Sequence, residues 1–200
     1  QVGKKSCKAC PTGYITSAIP RAHCKDCDAG RFMSQTNSTA DECDSCAAGF
    51  WSAATAGVCT ACAAGKAGTG ASQTSEPNHC SPCNTAGKFS SAAGANTCAD
   101  CPKGWFQDET SANTECKICT AGTYNDEPGQ SECDACDAGY YTTETGLATA
   151  SCRACPIGYI TSANSTARTH CKNCVAGEFM SETNSDAETC DSCPDGWWSA

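Results

Sequence analysis

The residues of this chain whose types and spacing could support chemistry are its cysteines. All 22 cysteines stand in eleven Cys-x-x-Cys motifs, which begin at Cys7, Cys24, Cys43, Cys59, Cys80, Cys98, Cys116, Cys133, Cys152, Cys171 and Cys190. Thiols at this spacing can form structural disulfides, hold zinc between two pairs, or exchange disulfides as a redox centre. Each of these possibilities makes a different demand on the rest of the chain.

The rest of the chain favours structural disulfides. Two motifs separated by 12 to 17 residues resemble a four-thiolate zinc site, but clustered thiolates would add negative charge to a chain of formal net charge −9. A redox pair begins a helix after a buried strand, and the sequence indicates neither here. We therefore expect no metal and no other cofactor.

The composition calls for cross-links because the chain has few apolar residues for a core. Leu, Ile, Val and Phe together account for 14 of the 200 residues. This share lies far below the roughly 20% under which a charged chain usually stays disordered. Cysteine at this density instead indicates a disulfide scaffold, which persists in an oxidising compartment. We predict an extracellular protein, secreted or on the cell surface.

Charge and the absence of further motifs disfavour several function classes. A pI near 4.7 argues against a nucleic acid partner, because phosphate binding requires basic patches. No apolar run is long enough to cross a bilayer, so no membrane contact is expected within this segment. We recognise no Ser-His-Asp set, nucleotide-binding loop or catalytic carboxylate pair, and we predict that the chain is not an enzyme.

Each motif is followed by a glycine, and the second residue after that glycine is large in ten of the eleven units. One flat side chain per unit can cover a disulfide and stack on its neighbour. We expect this role for Phe32, Trp51, Phe89, Phe106, Tyr124, Tyr141, Phe179 and Trp198. The alternative is that these side chains form a stripe that binds a sugar or another ligand.

The segments between motifs are rich in Ser, Thr, Ala, Asn and Gly and show no helical period. An aromatic residue and a Ser or Thr just after a glycine turn predict short strands. The predicted fold is a small disulfide-rich repeat array, an elongated rod of irregular loops and short β-hairpins with almost no helix. We expect each unit to contact only its neighbours in sequence.

A longer repeat overlies the short one. Residues 7–53 match residues 152–200 at 30 of 42 aligned positions, so that eight units form one super-repeat, and Cys24 and Cys171 lie 147 residues apart. We predict that residues 1–6 end a preceding unit and that residues 7–151 form one super-repeat. Residues 152–200 then begin the next super-repeat with units at Cys152, Cys171 and Cys190, and the sequence is expected to continue on both sides.

Carbohydrate is expected on the loops. Sequons occur at Asn37 and Asn164, and on an extracellular, loop-rich chain we expect both to carry N-linked glycans. The abundant Ser and Thr residues are suited to O-linked glycans, although no rule fixes their positions.

Two other residue groups could hold a metal ion. His23, His79 and His170 each precede a motif, but three of eleven units are too few for a site shared by the whole array. Acidic residues flank Cys43, Cys133 and Cys190 and could bind calcium weakly, yet no loop has the full set of alternating ligands. We interpret both groups as surface charge.

One form of the unit is Cys-x-x-Cys-Pro-x-Gly followed by an aromatic residue, as in residues 7–14, 98–105 and 152–159. It resembles the ephrin-receptor-like cysteine-rich repeat, which is similar in style to the rods of growth-factor and tumour-necrosis-factor receptors. Similar arrays occur in protist surface antigens and in the shaft proteins of flagellar hairs, the mastigonemes. The resemblance implies an elongated extracellular scaffold. The chain departs from the pattern because proline follows the second cysteine in only four units.

Three regular disulfide schemes suit such an array, and the residues alone do not select one. Bonds within each motif leave the long loops open, and bonds between like cysteines of two motifs leave one of eleven motifs unpaired. Bonds from the second cysteine of each motif to the first of the next close every loop.

Receptor rods that this chain resembles often use the third scheme. The resemblance therefore implies a ladder of ten bonds: Cys10–Cys24, Cys27–Cys43, Cys46–Cys59, Cys62–Cys80, Cys83–Cys98, Cys101–Cys116, Cys119–Cys133, Cys136–Cys152, Cys155–Cys171 and Cys174–Cys190. Cys7 and Cys193 then lack partners within these 200 residues, and we expect their partners in the chain beyond.

The expected function is structural, as a protomer segment of an extracellular filament or surface coat. A block repeated at high identity presents the same lateral contacts at regular intervals, and contacts that do not close into a ring extend indefinitely. The expected partners are copies of the chain or neighbouring filament chains. The alternatives are a receptor or adhesion ectodomain, or a surface antigen, that binds a protein ligand, and a zinc- or thiol-based metal-binding protein.

Overall fold

The computed structural model describes residues 6–17, 19, 21–161, 167–183, 186 and 189–199. The chain divides into two compact units. One comprises Gln1–Thr85, Phe89–Ala99 and Thr110–Glu115, and the other comprises Ala86–Lys88, Asp100–Glu109 and Cys116–Ala200. The same local repeat builds both.

The repeat is a short antiparallel hairpin, which occurs ten times among the described residues. Its first strand follows the glycine of one motif, and its second strand lies inside the next Cys-x-x-Cys motif. In chain order the strands are β1 Tyr14–Thr16, β2 Cys24–Asp26, β3 Arg31–Phe32, β4 Asp44–Ser45, β5 Phe50–Trp51, β6 Thr60–Ala61, β7 Lys66–Ala67, β8 Ser81–Pro82, β9 Lys88–Phe89, β10 Ala99–Asp100, β11 Trp105–Phe106, β12 Lys117–Ile118, β13 Thr123–Tyr124, β14 Asp134–Ala135, β15 Tyr140–Tyr141, β16 Arg153–Ala154, β17 Tyr159–Ile160, β18 Lys172–Asn173, β19 Glu178–Phe179 and β20 Asp191–Ser192.

A single turn of helix, α1 (Glu76–His79), precedes β8, and Pro77 at its start is compatible with the helix because the first turn needs no N–H donor there. Each hairpin is a separate two-stranded sheet. The predicted fold class, a small disulfide-rich array of short hairpins with almost no helix, is confirmed for the described part of the chain.

A tight turn leads from each motif into the following strand. In the second unit the Arg31 N–H donates to the Asp28 carbonyl at 3.0 Å, and Gly30 between them has a φ of +85°. A positive φ at the third residue only is typical of a type II turn, where glycine is favoured because it lacks a Cβ. The same bond recurs in units three, four and six to eleven.

Ten disulfides close the hairpins, and they are the ten pairs of the ladder that the resemblance implied. The bonded cysteines are separated by 13 to 18 residues. In the chain-entropy model, closing a loop of this length stabilises the fold by about 3 kcal/mol. Cys7 and Cys193 have free thiols.

A backbone hydrogen bond lies beside each disulfide. The N–H of the second cysteine in every motif from Cys27 to Cys193 donates to the carbonyl of the preceding unit's motif glycine at 2.7 to 3.1 Å. The second cysteines from Cys10 to Cys155 are at most 3% exposed. Sulfur therefore occupies the centre of the array, where an ordinary domain has aliphatic side chains.

Each of the first seven units contacts its second neighbour as well as its first. Gly13 of the first unit lies so close to the carbonyl of Thr55, in the loop after the third motif, that a Cβ at Gly13 would overlap this oxygen. Gly30 meets Ser72 and Gly49 meets Gly94 in the same way. The prediction that units contact only their sequence neighbours is therefore wrong, because the loops are long enough to fold back over two earlier motifs.

Gly13→Ala and Gly158→Ala separate the cost of the turn conformation from the cost of this close approach. Both glycines have nearly the same φ, +83° and +84°, but a Cβ at Gly158 meets no atom of the described residues within 4 Å. Each substitution should cost about 1–2 kcal/mol for the left-handed conformation. Gly13→Ala should cost roughly 1–3 kcal/mol more, because it forces the Thr55 loop away.

The measurement is the free energy of chemical unfolding without reductant. Equal losses in the two variants would show that the loop does not press on Gly13.

Candidate functional site

In several loops, one residue donates its backbone N–H to the carbonyl of a cysteine in an earlier motif, and we call it the clasp residue. Thr55 is an example: its N–H donates to the Cys27 carbonyl at 2.9 Å, and its own carbonyl lies against Gly13. One residue of the loop thus binds two earlier units at once. The clasp residues with positive φ are Asn37, Thr55, Ser72, Gly94, Gly129 and Gly146, and they donate to the carbonyls of Cys10, Cys27, Cys46, Cys62, Cys101 and Cys119.

The clasp conformation carries a cost at three of these positions. A left-handed backbone costs an L-residue about 1–2 kcal/mol, with asparagine more tolerant than threonine or serine. Thr55 and Ser72 nevertheless adopt φ values of +63° and +57°. Such conformations persist where surrounding contacts fix them. The hydrogen bond to the cysteine carbonyl and the contact with glycine are those contacts.

The ninth unit replaces the backbone clasp by an arginine. Arg168 Nη1 donates to the Cys136 carbonyl at 2.6 Å, and the Arg168 N–H donates to the Gly122 carbonyl at 3.2 Å. The Arg168 carbonyl accepts from the N–H of Thr142 at 3.0 Å. The guanidinium therefore satisfies the cysteine carbonyl that a left-handed residue satisfies in six other units.

The side chain of the third residue after the motif glycine is buried in eight units, which the sequence analysis did not predict. It is polar in six of them, at Ser52, Ser90, Gln107, Asn125, Thr142 and Thr161, and it is a methionine in the other two, at Met33 and Met180. Ser52 Oγ donates to the Arg31 carbonyl at 2.9 Å, and Asn125 Nδ2 donates to the Trp105 carbonyl at 2.8 Å. One feature of the sequence could have indicated this burial: the position is neither charged nor aromatic in any of the eleven units.

The aromatic residues that we expected to cover the disulfides lie nearer the surface. Six of them, Phe32, Trp51, Phe89, Phe106, Tyr124 and Tyr141, are half-buried. Phe179 is 36% and Trp198 is 80% exposed. The same position is fully buried only where it holds the aliphatic residues Ile15, Ala67 and Ile160. Stacking between successive rings stays a prediction.

Ion pairs connect the loops to the motifs on the surface. Lys117 Nζ lies 2.6 Å from Asp108 and 2.9 Å from Glu109. The hydrogen bond from Lys117 lowers the pKa of Asp108, and the bonds to the two carboxylates raise the pKa of Lys117. Burial, together with the charges of Asp134, Asp137 and Asp126, raises the pKa of Tyr124. Exposed pairs of this kind contribute little to stability.

A charged depression of about 230 Å³ lies beside the first two hairpins. Its lining includes Lys25, Asp26, Asp28, Arg31, Asp41 and Glu42. The super-repeat counterparts of Asp26, Asp28 and Arg31 are Asn173, Val175 and Glu178, so the charges are not repeated. Among the described residues, no group of three or more His, Cys, Asp or Glu side chains is placed to hold a metal ion.

The remaining predicted site residues are separated along the chain. His23 and His170 are exposed, and His79 ends α1. Asn37 and Thr39 of the first sequon are exposed, whereas Asn164 lies outside the described residues. Twenty of the 22 cysteines considered as zinc ligands are bound in disulfides, so their sulfur atoms are not available as thiolates.

One segment of the array is similar to a known family. Residues 109–150 match the family model described as tyrosine-protein kinase ephrin type A/B receptor-like. The matched segment holds the motifs at Cys116 and Cys133, in neither of which proline follows the second cysteine. No curated protein sequence matches the chain significantly.

The receptor-like match and the ten disulfides together indicate an extracellular receptor-like or surface protein. The described residues include no helix with the length and hydropathy needed to cross a bilayer.

Asn125→Ala tests whether the buried polar residue at the third position after the motif glycine stabilises the fold. Asn125 is 1% exposed, and its loss leaves the Trp105 carbonyl without this donor. Loss of this part-buried hydrogen bond should lower the free energy of unfolding by about 1 kcal/mol. The control is Asn84→Ala at an exposed position, which should change stability by less than about 0.5 kcal/mol. The free energy of unfolding is measured by chemical unfolding without reductant. A similar loss in both variants would contradict a structural role for Asn125.

Proposed function

We propose that this chain is a structural segment of an extracellular filament or surface coat, a disulfide-linked and glycosylated array that packs against copies of itself or neighbouring filament chains. The observation that carries the proposal is the structural equivalence of the two super-repeat copies. Ile15 pairs with Lys25 in the first copy, and Ile160 pairs with Lys172 in the second.

The second hairpin of each copy shows the same equivalence. Phe32 pairs with Asp44, and Phe179 pairs with Asp191, 147 residues further along. The methionine that follows the aromatic residue is buried in both copies, at 3% exposure for Met33 and 5% for Met180. A sequence block that folds alike at both positions offers the same hairpin to a lateral partner once per super-repeat, as a filament requires.

The bonding pattern also suits a protein under tension. Each disulfide joins the ends of a loop of 13 to 18 residues. A pulling force along the chain is carried by the disulfide bonds and by the two residues inside each Cys-x-x-Cys motif. The loops closed by the disulfides therefore bear no load. While the disulfides are intact, the loops cannot unfold under force and lengthen the chain. The proposed assembly is a filament of the mastigoneme type, because the shaft proteins of those flagellar hairs contain similar cysteine-rich arrays.

Glycans are proposed as the outer layer of the array. Asn37 is exposed, and the second hydroxyl residue of its sequon, Thr39, is exposed as well. The Asn37 N–H is held by the Cys10 carbonyl at 2.8 Å, which fixes the backbone of the acceptor site. We propose N-linked carbohydrate at Asn37 and Asn164, and O-linked carbohydrate on the Ser/Thr-rich loops.

The second candidate is a receptor or adhesion ectodomain that binds a protein ligand. The family match at residues 109–150 favours it, because the matched family is receptor-like. Its modules are expected to diverge from one another, whereas residues 7–53 and 152–200 share 30 of 42 aligned positions. We therefore rank it below the filament.

Electron microscopy of the native assembly tests the filament. Particles labelled with an antibody to the segment around β3 and β4 should show linear arrays with the label at a regular axial interval. The interval should be regular because equivalent hairpins recur once per super-repeat. Isolated, unassembled molecules bound to a different protein would support the receptor instead.

Thr39→Ala tests the glycan without altering Asn37. The substitution removes the sequon, so the Asn37 peptide of secreted protein should lose a mass that an N-glycosidase otherwise removes. Thr39→Ser is the matched control and should keep the glycan. An unmodified Asn37 peptide in the unaltered protein would reject this site.

A further inference from the structure

Three of the clasp residues with positive φ carry a side chain, and all three are of types to which carbohydrate can be attached. Asn37, Thr55 and Ser72 follow one another in the second, third and fourth units, and each donates its N–H to a cysteine carbonyl of the preceding unit. All three are exposed. Asn37 is the acceptor of a sequon, and threonine and serine have the hydroxyl that O-linked sugars require.

The glycine clasp residues of later units have no room for a side chain. A Cβ at Gly94 would lie 2.9 Å from the ring of Phe50, and a Cβ at Gly129 would lie 2.9 Å from the carboxylate of Asp100. Both distances are shorter than van der Waals contact. Glycine is therefore required at these two positions, whereas the clasp position of units two to four is open to solvent.

Backbone strain at Thr55 and Ser72 indicates a role for their hydroxyl groups. A residue branched at Cβ, such as threonine, is an outlier at positive φ, and glycine would adopt the same conformation without strain. The hydroxyls of Thr55 and Ser72 make no hydrogen bond with the described residues, whereas the buried Ser52 Oγ donates to the Arg31 carbonyl. An exposed, strained residue with an unused hydroxyl points to a function outside the fold.

We propose that Thr55 and Ser72 are acceptor sites for O-linked carbohydrate, so that with Asn37 the clasp positions of three consecutive units carry one glycan each. The inference rests on the proposed function, because it assigns positions to the O-linked part of the glycan layer. The Cys27 carbonyl holds the Thr55 N–H at 2.9 Å, and the Cys46 carbonyl holds the Ser72 N–H at 2.8 Å. A transferase therefore meets an acceptor whose backbone is fixed and whose side chain is exposed.

The transfer needs an activated sugar as co-reactant, and we assign this role to a nucleotide sugar. The hydroxyl oxygen of Thr55 or Ser72 forms a bond to the anomeric carbon of the sugar, and the bond from that carbon to the diphosphate breaks. The nucleoside diphosphate leaves with the bonding electron pair, and the hydroxyl proton passes to a base of the transferase. No oxidant or reductant takes part.

Peptide mapping of the protein from its native source tests the two sites. Trypsin should release residues 32–66, which contain Thr55, and residues 67–88, which contain Ser72. After treatment with an N-glycosidase, fragmentation that keeps sugars attached should place sugar on both residues. Thr69 and Ser91 are the matched controls, because they are exposed and neither has a positive φ. Both should be unmodified.

Thr55→Ser and Thr55→Gly separate the hydroxyl from the clasp. When the variants are secreted by the same cells, Thr55→Ser should keep the sugar on residues 32–66, and Thr55→Gly should lose it. In protein made without carbohydrate, Thr55→Gly should unfold at a denaturant concentration no lower than that of the unaltered chain, because glycine adopts positive φ freely. A lower midpoint would show that the threonine serves the fold and would overturn the inference.

The pattern of modification separates this inference from the proposed function. Sugar at Thr69 or Ser91 with none at Thr55 and Ser72, or equal occupancy of all four residues, would overturn the inference and leave the proposed O-linked layer standing. A protein without sugar on any serine or threonine would overturn both. The interval of the antibody label in electron microscopy tests the filament independently of these outcomes.

Discussion

The structure depends on the covalent bond between the second cysteine of one motif and the first cysteine of the next. This bond closes each hairpin. Beside it, the N–H of the second cysteine in the later motif donates to the carbonyl of the glycine that follows the earlier motif. With 14 Leu, Ile, Val and Phe residues in 200, apolar burial alone leaves little to oppose the entropy of the unfolded chain. The disulfides reduce that entropy, and the fold tolerates polar side chains at its centre.

Close packing of backbone on backbone is the second constraint. In the first seven units the motif glycine is required twice, once for the positive φ of its turn and once because loop backbone lies where a Cβ would be. The clasp residues Thr55, Ser72, Gly94, Gly129 and Gly146 each join such a glycine to the next unit's cysteine carbonyl, so their loops hold two earlier units. Neighbouring loops differ widely in sequence because most of the contact is made by backbone atoms, which every residue supplies.

These two constraints explain how a variable array can serve as scaffold. Cysteine and glycine fix each unit, and the exposed residues of the hairpins are free to carry charge, aromatic rings or carbohydrate. The cross-strand positions vary accordingly: Lys88 pairs with Asp100, whereas Trp105 pairs with Ile118. A filament uses such freedom to repeat one surface at the super-repeat interval, and a receptor uses it to vary the surface between units.

The sequence by itself determined the disulfide-rich class and the position of the first strand of each hairpin, because cysteine spacing and glycine turns act over a few residues. The tertiary structure alone decided which side chains are buried and which loops bind which units. Ser52 and Asn125 are buried because the loops fold back over earlier motifs, and Arg168 replaces a backbone donor at a carbonyl 32 residues away. These contacts join residues whose separation varies from loop to loop, so no fixed spacing in the sequence records them.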